Sequence, residues 1–302
     1  MKLFYKNFLV WIAFAIIILL LIEIAVRQIP NNYSYKYDYV KHHGSEIKVI
    51  AIGHSQLFDG FWPKYFKETS FNLANGGQHY IENYYILKEI LQYMPRLEYC
   101  IMPIGYMNVC GKDGDTTFHK KSIYYHEYMN INYGGQLPFR YYYECMSPNR
   151  ALKTIYNYYV RHDSIVFCDS TGFHLLKREN HNLQDRNLYN YTVNPNEKIF
   201  RIKYEVYLEK TYELLHSREV KLVLVSPPYY WNGFLHCNNS QKVYCEEYIK
   251  RFRKRHDVIY INMEDGKQFE EQDFANSTHL TESGAQKFTK MLYNSLYENS
   301  KK

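Results

Sequence analysis

An α/β fold is what this sequence predicts: a three-layer sandwich with a five-stranded, mainly parallel sheet, preceded by one N-terminal transmembrane helix. Three observations predict it. Five short apolar runs have strand length, most without in-out alternation, helix-length stretches alternate with them, and one long apolar stretch lies near the start of the chain. Runs that are apolar on both faces suit parallel strands covered by helices on each side. Alternating strand and helix signals are the pattern of layered α/β folds. The composition agrees. A chain of 302 residues can bury one large core or two modest ones, and a mean hydropathy of −0.50 excludes a many-pass transporter. With 14 Gly and 9 Pro it is neither collagen-like nor linker-like.

Phe8 to Val26 reads FLVWIAFAIIILLLIEIAV, interrupted only by Glu23, and is long enough to cross the roughly 30 Å hydrocarbon layer as a helix. A buried core helix and a cleaved signal peptide are the competing readings. A helix apolar all round at the start of a chain, flanked by Lys2, Lys6 and Arg27, favours membrane insertion over a core helix. The run exceeds a usual signal-peptide core, and no A-x-A site follows it. Lys2 and Lys6 favour a cytoplasmic N-terminus and an extracytoplasmic C-terminal domain, so the expected location is a single-pass protein of the cell membrane. Residues 1–30 are thus the tip and anchor.

Residues 31–46 are polar and aromatic without clear periodicity and read as a stalk. The folded domain is expected over 47–302. Its strands are Lys48 to Gly53, Ser70 to Ala74, Tyr99 to Gly105, Val220 to Pro228 and Val258 to Met263. Its helices are Ile81 to Tyr93, Glu205 to Arg218, Gln241 to Arg255 and Glu282 to Tyr297. Residues 110–201 break the rhythm and read as an insertion, longer than any simple crossover needs. It is either a lid or substrate wall, with tyrosines available to stack on sugar rings, or a structural elaboration on the sheet edge. The six cysteines contain no CxxC pair, which argues against a zinc ribbon or a thioredoxin-like motif. Cys237 and Cys245 flank a polar loop and are candidates for pairing in an oxidising compartment, whereas Cys100 reads as a buried free thiol.

In an open parallel sheet ligands bind beyond the carboxyl ends of the strands, so Ser55 in Gly53-His54-Ser55-Gln56 stands where a nucleophile belongs. A helix N-cap is the alternative use of such a serine. The second strand ends in Asn72-Leu73-Ala74-Asn75-Gly76-Gly77-Gln78, whose glycines allow close backbone approach and an N–H aimed at an oxyanion; a tight turn would also use them. Before the last helix come Asp273, Asn276 and His279 in DFANSTHLTESGA, a loop from which an imidazole could return to the same edge.

An early strand ending in GxS, then NLAxGGQ, then a late DxxxxxHLxxxGA element resembles the SGNH (GDSL-like) hydrolase superfamily over roughly residues 47–297. Its membrane-anchored, exported branch, with proteins similar to the DltD protein of teichoic acid D-alanylation and to alginate O-acetylation proteins, is the nearest in pattern. The resemblance implies a flavodoxin-like sheet, Ser55 as nucleophile, His279 as general base, and the N–H groups of Ser55 and of Gly76 or Gly77 as oxyanion donors. Serine needs such a base, and the tetrahedral oxyanion needs preorganised donors.

The sequence departs from the family in two places. The acidic residue three before the histidine is replaced by Asn276, which leaves three readings open: Asp273 supplies the carboxylate, Asn276 orients the imidazole, or the chain only binds. The third block has Asn108 displaced by one position, so it is not assigned to the oxyanion site.

The expected function is a membrane-anchored exported serine esterase or O-acyltransferase acting on acyl groups of cell-surface polysaccharide or another envelope polymer. The alternative is a catalytically weak or inactive relative that binds glycan or a membrane-bound O-acyltransferase partner. No cofactor or metal is expected, since no phosphate-binding glycine loop follows the first strand and the histidines lack ligand spacing. Nucleic acid is not an expected partner. The net charge of +6 comes from 37 Lys and Arg against 31 Asp and Glu, with no long basic stripe.

Overall fold

The computed structural model describes residues 2–110, 121–134, 142–175 and 205–298, with positions 137, 139, 183, 201 and 202. The expected insertion therefore lies partly outside the described residues. The chain divides into two compact units: Met1–Asp38 with Thr117–Phe167, and Tyr39–Thr116 with Cys168–Lys302.

The larger unit is built on β1 (Val49–Ala51), β2 (Ser70–Asn72), β3 (Tyr99–Pro103), β6 (Lys221–Ser226) and β7 (Ile259–Asn262). A separate antiparallel pair joins β4 (Val109–Cys110) to β5 (Arg201–Ile202). The main sheet runs β2-β1-β3-β6-β7 and every pairing in it is parallel. Val49, Ile50 and Ala51 of the inner strand β1 are fully buried on both faces, which explains the absence of alternation in the sequence. Ile50 lies in register between Phe71 and Cys100. Leaving β1, the chain pairs first with β2 on one side and returns as β3 on the other. The order thus reverses at the β1/β3 crevice, the location that open α/β sheets use for ligands.

The expected helices form as α4 (Tyr80–Ile90), α7 (Glu205–His216), α9 (Asn239–Arg255) and α10 (Glu282–Tyr293). The apolar positions of α10, Ala285, Phe288 and Leu292, recur at helical spacing and are buried. Thr281 caps its first turn, accepting from the Gly284 N–H at 3.3 Å. Trp62 N–H donates to Thr289 Oγ1 at 2.8 Å, which ties α10 back to the segment after β1.

Two expectations are corrected. The stalk is a helix, α2 (Asn32–His43), followed by a 3-10 turn over Gly44–Glu46. Asn31 Oδ1 accepts the N–H groups of Tyr33 and Ser34 at 2.9 and 3.1 Å, a cap that starts the helix without an apolar period. Tyr37 and Val40 are buried, and Lys41, His42 and His43 lie in the last turn, where positive charge suits the helix dipole. Cys237 and Cys245 are not paired: both are buried free thiols. Cys237 Sγ lies 3.6 Å from the Gly233 carbonyl and packs with Tyr106 and Tyr229, while Cys245 sits inside α9. Cys100 is a buried free thiol in β3, and burial pushes its pKa up.

In the smaller unit α1 (Lys2–Arg27) contains Phe4–Arg27, 24 residues long and apolar enough to cross a membrane, as an anchor or a signal sequence. Its carboxyl end packs with α6 (Pro148–Ile155) and the 3-10 turn Glu144–Met146, and Arg27 reaches α5 (Ser122–Tyr128) through Glu127. Glu23 accepts from Arg27 Nε at 2.6 Å and from the Cys145 N–H at 2.8 Å, and Arg27 also pairs with Glu127. Tyr33 stacks on Tyr124 and meets Tyr125 edge-on, with ring centres 5.0 and 4.9 Å apart. These tyrosines serve as packing. A cavity of about 210 Å³ within this unit is lined by Val26, Ile29, Tyr124, Tyr128, Glu144 and Arg150 among others.

Near the carboxyl ends of β3 and β6 in the larger unit lies the buried carboxylate of Glu264. It accepts from the Tyr106 N–H at 2.5 Å, and a Cβ on Gly105 would meet its Oε1 at 2.7 Å. Burial pushes its pKa up to about 7, against an unfolded value of 4.5. The folded chain therefore holds a proton between these pH values that the unfolded chain has released. That stabilisation is complete below pH 4.5 and is lost as pH rises through 7. Glu264→Gln is expected to match wild-type stability at pH 4.5 and to exceed it at pH 8 by about 2–3 kcal/mol, measured by denaturant unfolding at both pH values.

Candidate active site

Past the end of β1, Gly53 lies against Pro103 of β3, and its φ of +144° and contact with that ring leave no room for a Cβ. The chain turns there into α3 (Ser55–Phe58), with His54 in extended conformation as its cap. His54 Nδ1 accepts the Gln56 N–H at 3.4 Å, and burial, with the His279 imidazole adding to it, lowers the His54 pKa to about 4. His54 is therefore a neutral ring at pH 7. Ser55 stands on the first turn, at the crevice where the strand order reverses.

β2 delivers the second piece. Asn72 is fully buried and its amide donates to the carbonyls of Leu57 and Phe61 at 2.8 and 2.7 Å, while its Oδ1 accepts the Ala74 N–H at 2.9 Å. One side chain thus holds the segment after α3 beside the NLA turn. Asn75 N–H donates to the Gly53 carbonyl at 3.0 Å, joining the two loops. Gly76 and Gly77 form the centre of the turn closed by Gln78 N–H to Asn75 O at 3.2 Å, with Gly77 at φ +72°. Among the described residues no acceptor lies on the N–H of Ser55 or of Gly77.

The third piece comes from the loop between β7 and α10. Asn276 Oδ1 accepts from the N–H groups of Thr278 and His279 at 3.0 and 2.9 Å, and His279 Nδ1 lies 3.0 Å from the same oxygen. Two backbone donors identify this atom as the amide oxygen rather than the nitrogen. A proton on Nδ1 satisfies that oxygen and leaves the lone pair on Nε2. Nε2 lies 2.8 Å from Ser55 Oγ, across 224 residues of sequence. Gln56 Nε2 donates to the Thr278 carbonyl at 3.3 Å and fastens the loop to α3.

Of the candidate residues, Ser55, His279 and Asn276 form one hydrogen-bonded row. The Gly76-Gly77 turn is joined to the Ser55 loop through Asn75. Asp273 does not belong: its carboxylate takes the Lys287 ammonium at 3.1 Å, the Glu270 N–H at 3.0 Å and Ser283 Oγ at 3.3 Å, below the start of α10. It shapes the helix entry, and the imidazole turns to Asn276 instead.

Sequence reasoning passed over Asp59 and His174. Asp59 lies one helical turn after Ser55, is buried, and its Oδ2 is 3.8 Å from His279 Nε2. His174 Nδ1 meets Asp59 Oδ1 at 2.6 Å, and its ring stacks on Phe58 at 4.1 Å. His174 arrives on a segment of the expected insertion whose Thr171 carbonyl accepts the Asn72 N–H at 2.9 Å, at the β2 edge. The i to i+4 spacing of Ser55 and Asp59 was a readable signal; nothing in the sequence marks His174. Among the described residues no three His, Cys, Asp or Glu side chains converge as a metal-binding group.

No family model matches the chain, and no curated protein matches it. Solved structures do align with it, among them one from Streptococcus pneumonia provisionally named as a platelet activating factor. That alignment covers 94% of this chain and 99% of the other at 13% identity, with a TM-score of 0.43. Likeness at that level says nothing about activity.

The close contact at Gly53 carries the placement of Ser55. Gly53→Ala is expected to lower stability by about 1–3 kcal/mol through the strained φ and the overlap with Pro103, measured by denaturant unfolding.

Proposed function

We propose that this chain is a serine esterase or O-acyltransferase of SGNH type, anchored in the cell membrane by α1 with the larger unit extracytoplasmic. Its proposed substrates are acyl groups on cell-surface polysaccharide or another envelope polymer. The observation that carries the reading is the 2.8 Å contact between Ser55 Oγ and Nε2 of His279. A serine hydroxyl becomes a useful nucleophile when an imidazole takes its proton as the new bond forms.

In this reading Ser55 Oγ attacks the ester carbonyl carbon while Nε2 accepts the hydroxyl proton. The oxyanion is met by the N–H groups of Ser55 and of the Gly76-Gly77 turn. Collapse breaks the bond to the alcohol, which leaves with the proton from Nε2 and leaves the acyl group on Ser55. Water or a sugar hydroxyl, deprotonated by Nε2, then takes the acyl group and restores the serine. Asn276 sets the tautomer throughout. The anchor supports the envelope substrate, because a tethered domain meets surface glycans at high effective concentration.

A second reading, an inactive relative that binds glycan or a membrane-bound O-acyltransferase, draws on Asn276, a neutral group where a carboxylate would stabilise the imidazolium; replacing the triad Asp of a serine protease costs roughly 10⁴ in turnover.

The test uses the full chain in detergent. A fluorophosphonate probe is expected to label wild type at Ser55, and Ser55→Ala and His279→Ala are each expected to reduce acetate release from p-nitrophenyl acetate by roughly 10³-fold or more. Equal turnover in all three, or a folded wild type that the probe leaves unlabelled, would remove the enzyme reading in favour of the binding role.

A further inference from the structure

The proposed reaction forms an imidazolium at His279, where the group beside Nδ1, Asn276, is neutral and Asp273 is engaged with Lys287. A carboxylate nevertheless lies beside the ring, on its other edge. We infer that Asp59 supplies the negative charge that stabilises protonated His279, acting across the Nε2 edge rather than through Nδ1. The inference rests on the serine-hydrolase reading above and makes Asp59 a positioning residue that works through the general base.

Three observations carry it. Asp59 Oδ2 is 3.8 Å from Nε2, the atom that becomes positively charged when Ser55 gives up its proton. Asp59 is buried, so solvent screens the interaction weakly. Its other oxygen is held by His174 Nδ1 at 2.6 Å, and His174 is itself held by stacking on Phe58 and by its N–H on the Phe58 carbonyl at 3.2 Å. The carboxylate is therefore fixed before any charge develops, which is the condition for electrostatic preorganisation. Ser55 opens α3 and Asp59 caps its end: the Asp59 N–H donates to the Ser55 carbonyl at 2.8 Å, so nucleophile and carboxylate are set one turn apart by the backbone alone.

The groups facing His279 have separable roles. Asn276 and Thr278 surround Nδ1 and set the tautomer. His54 is buried nearby, and burial followed by the His279 imidazole keeps it neutral above about pH 4, so it adds no charge beside the ring. Asp59 is the carboxylate opposite these, with His174 behind it. The division of labour differs from a Ser-His-Asp row, where one carboxylate both orients and compensates. Here an amide orients from one edge and a carboxylate compensates from the other.

The test reads charge stabilisation directly and by turnover, on the full chain in detergent. The His279 pKa is measured by NMR of imidazole-labelled protein, assigned with His279→Gln, in wild type and in Asp59→Asn. A fall of about one unit in Asp59→Asn is expected, with a matching downward shift of the acid limb in the pH profile of p-nitrophenyl acetate hydrolysis and roughly tenfold slower Ser55 acylation. An unchanged His279 pKa overturns the inference whatever the rate does.

Asn276→Asp is made in both backgrounds to separate charge from fold. If Asp59 supplies the charge, the new carboxylate raises the rate by a larger factor in Asp59→Asn than in wild type. Equal factors in the two backgrounds overturn the inference and assign Asp59 to structure. A lowered pKa together with no Ser55-dependent acylation in wild type upholds the coupling of Asp59 to His279 and instead rejects the hydrolase reading.

Discussion

A single amide oxygen, Asn276 Oδ1, governs the candidate site. It gathers the N–H groups of Thr278 and His279 and the ring nitrogen Nδ1, so one atom folds the loop, orients the imidazole and decides which nitrogen carries the proton. Everything that Ser55 can do follows from that choice, because only the opposite tautomeric nitrogen can accept from its hydroxyl. An aspartate there would hold the same geometry and add charge. The chain retains the geometry and locates its nearest carboxylate elsewhere.

The scaffold makes this convergence possible by ordinary means. The reversal of strand order between β1 and β3 opens a crevice at the carboxyl edge, Gly53 permits the tight exit from β1, and Asn72 staples the neighbouring turn with hydrogen bonds to Leu57, Phe61 and Ala74. The return of α10 to the β1 side, tied through Trp62 and Thr289, brings the loop before it back to the nucleophile. Long-range contacts of this kind are set by packing of buried apolar faces, and the polar site rides on them.

Much of this was legible in the residues. Five apolar runs marked the five strands, since a strand buried on both faces cannot alternate, and the amphipathic stretches marked α4, α7, α9 and α10. Ser55, His279 and Asn276 stood out because each closes a loop at a strand end or a helix entry. The α2 helix was illegible because a capping asparagine and two buried residues, Tyr37 and Val40, sit among polar tyrosines without a clear period. Asp273 misled because sequence proximity to His279 says nothing of Lys287, one helix away. Asp59 was readable from its spacing one turn after Ser55, whereas His174 was illegible: its meeting with Asp59 depends on how the expected insertion runs past β2, which no local pattern encodes.

The end of α1 has a consequence for how this protein can be handled by the cell. Glu23 and Val26 lie in the apolar run and Arg27 flanks it, yet Glu23 holds the Cys145 amide, Val26 is buried and Arg27 reaches Glu127 and the Tyr142 carbonyl. A peptidase severing the chain just past Arg27 would strip a carboxylate, a guanidinium and a hydrophobic plug from the smaller unit in one cut. The end of α1 and the rest of the smaller unit are thus a single piece of masonry, and trimming there would leave Glu127 without its guanidinium.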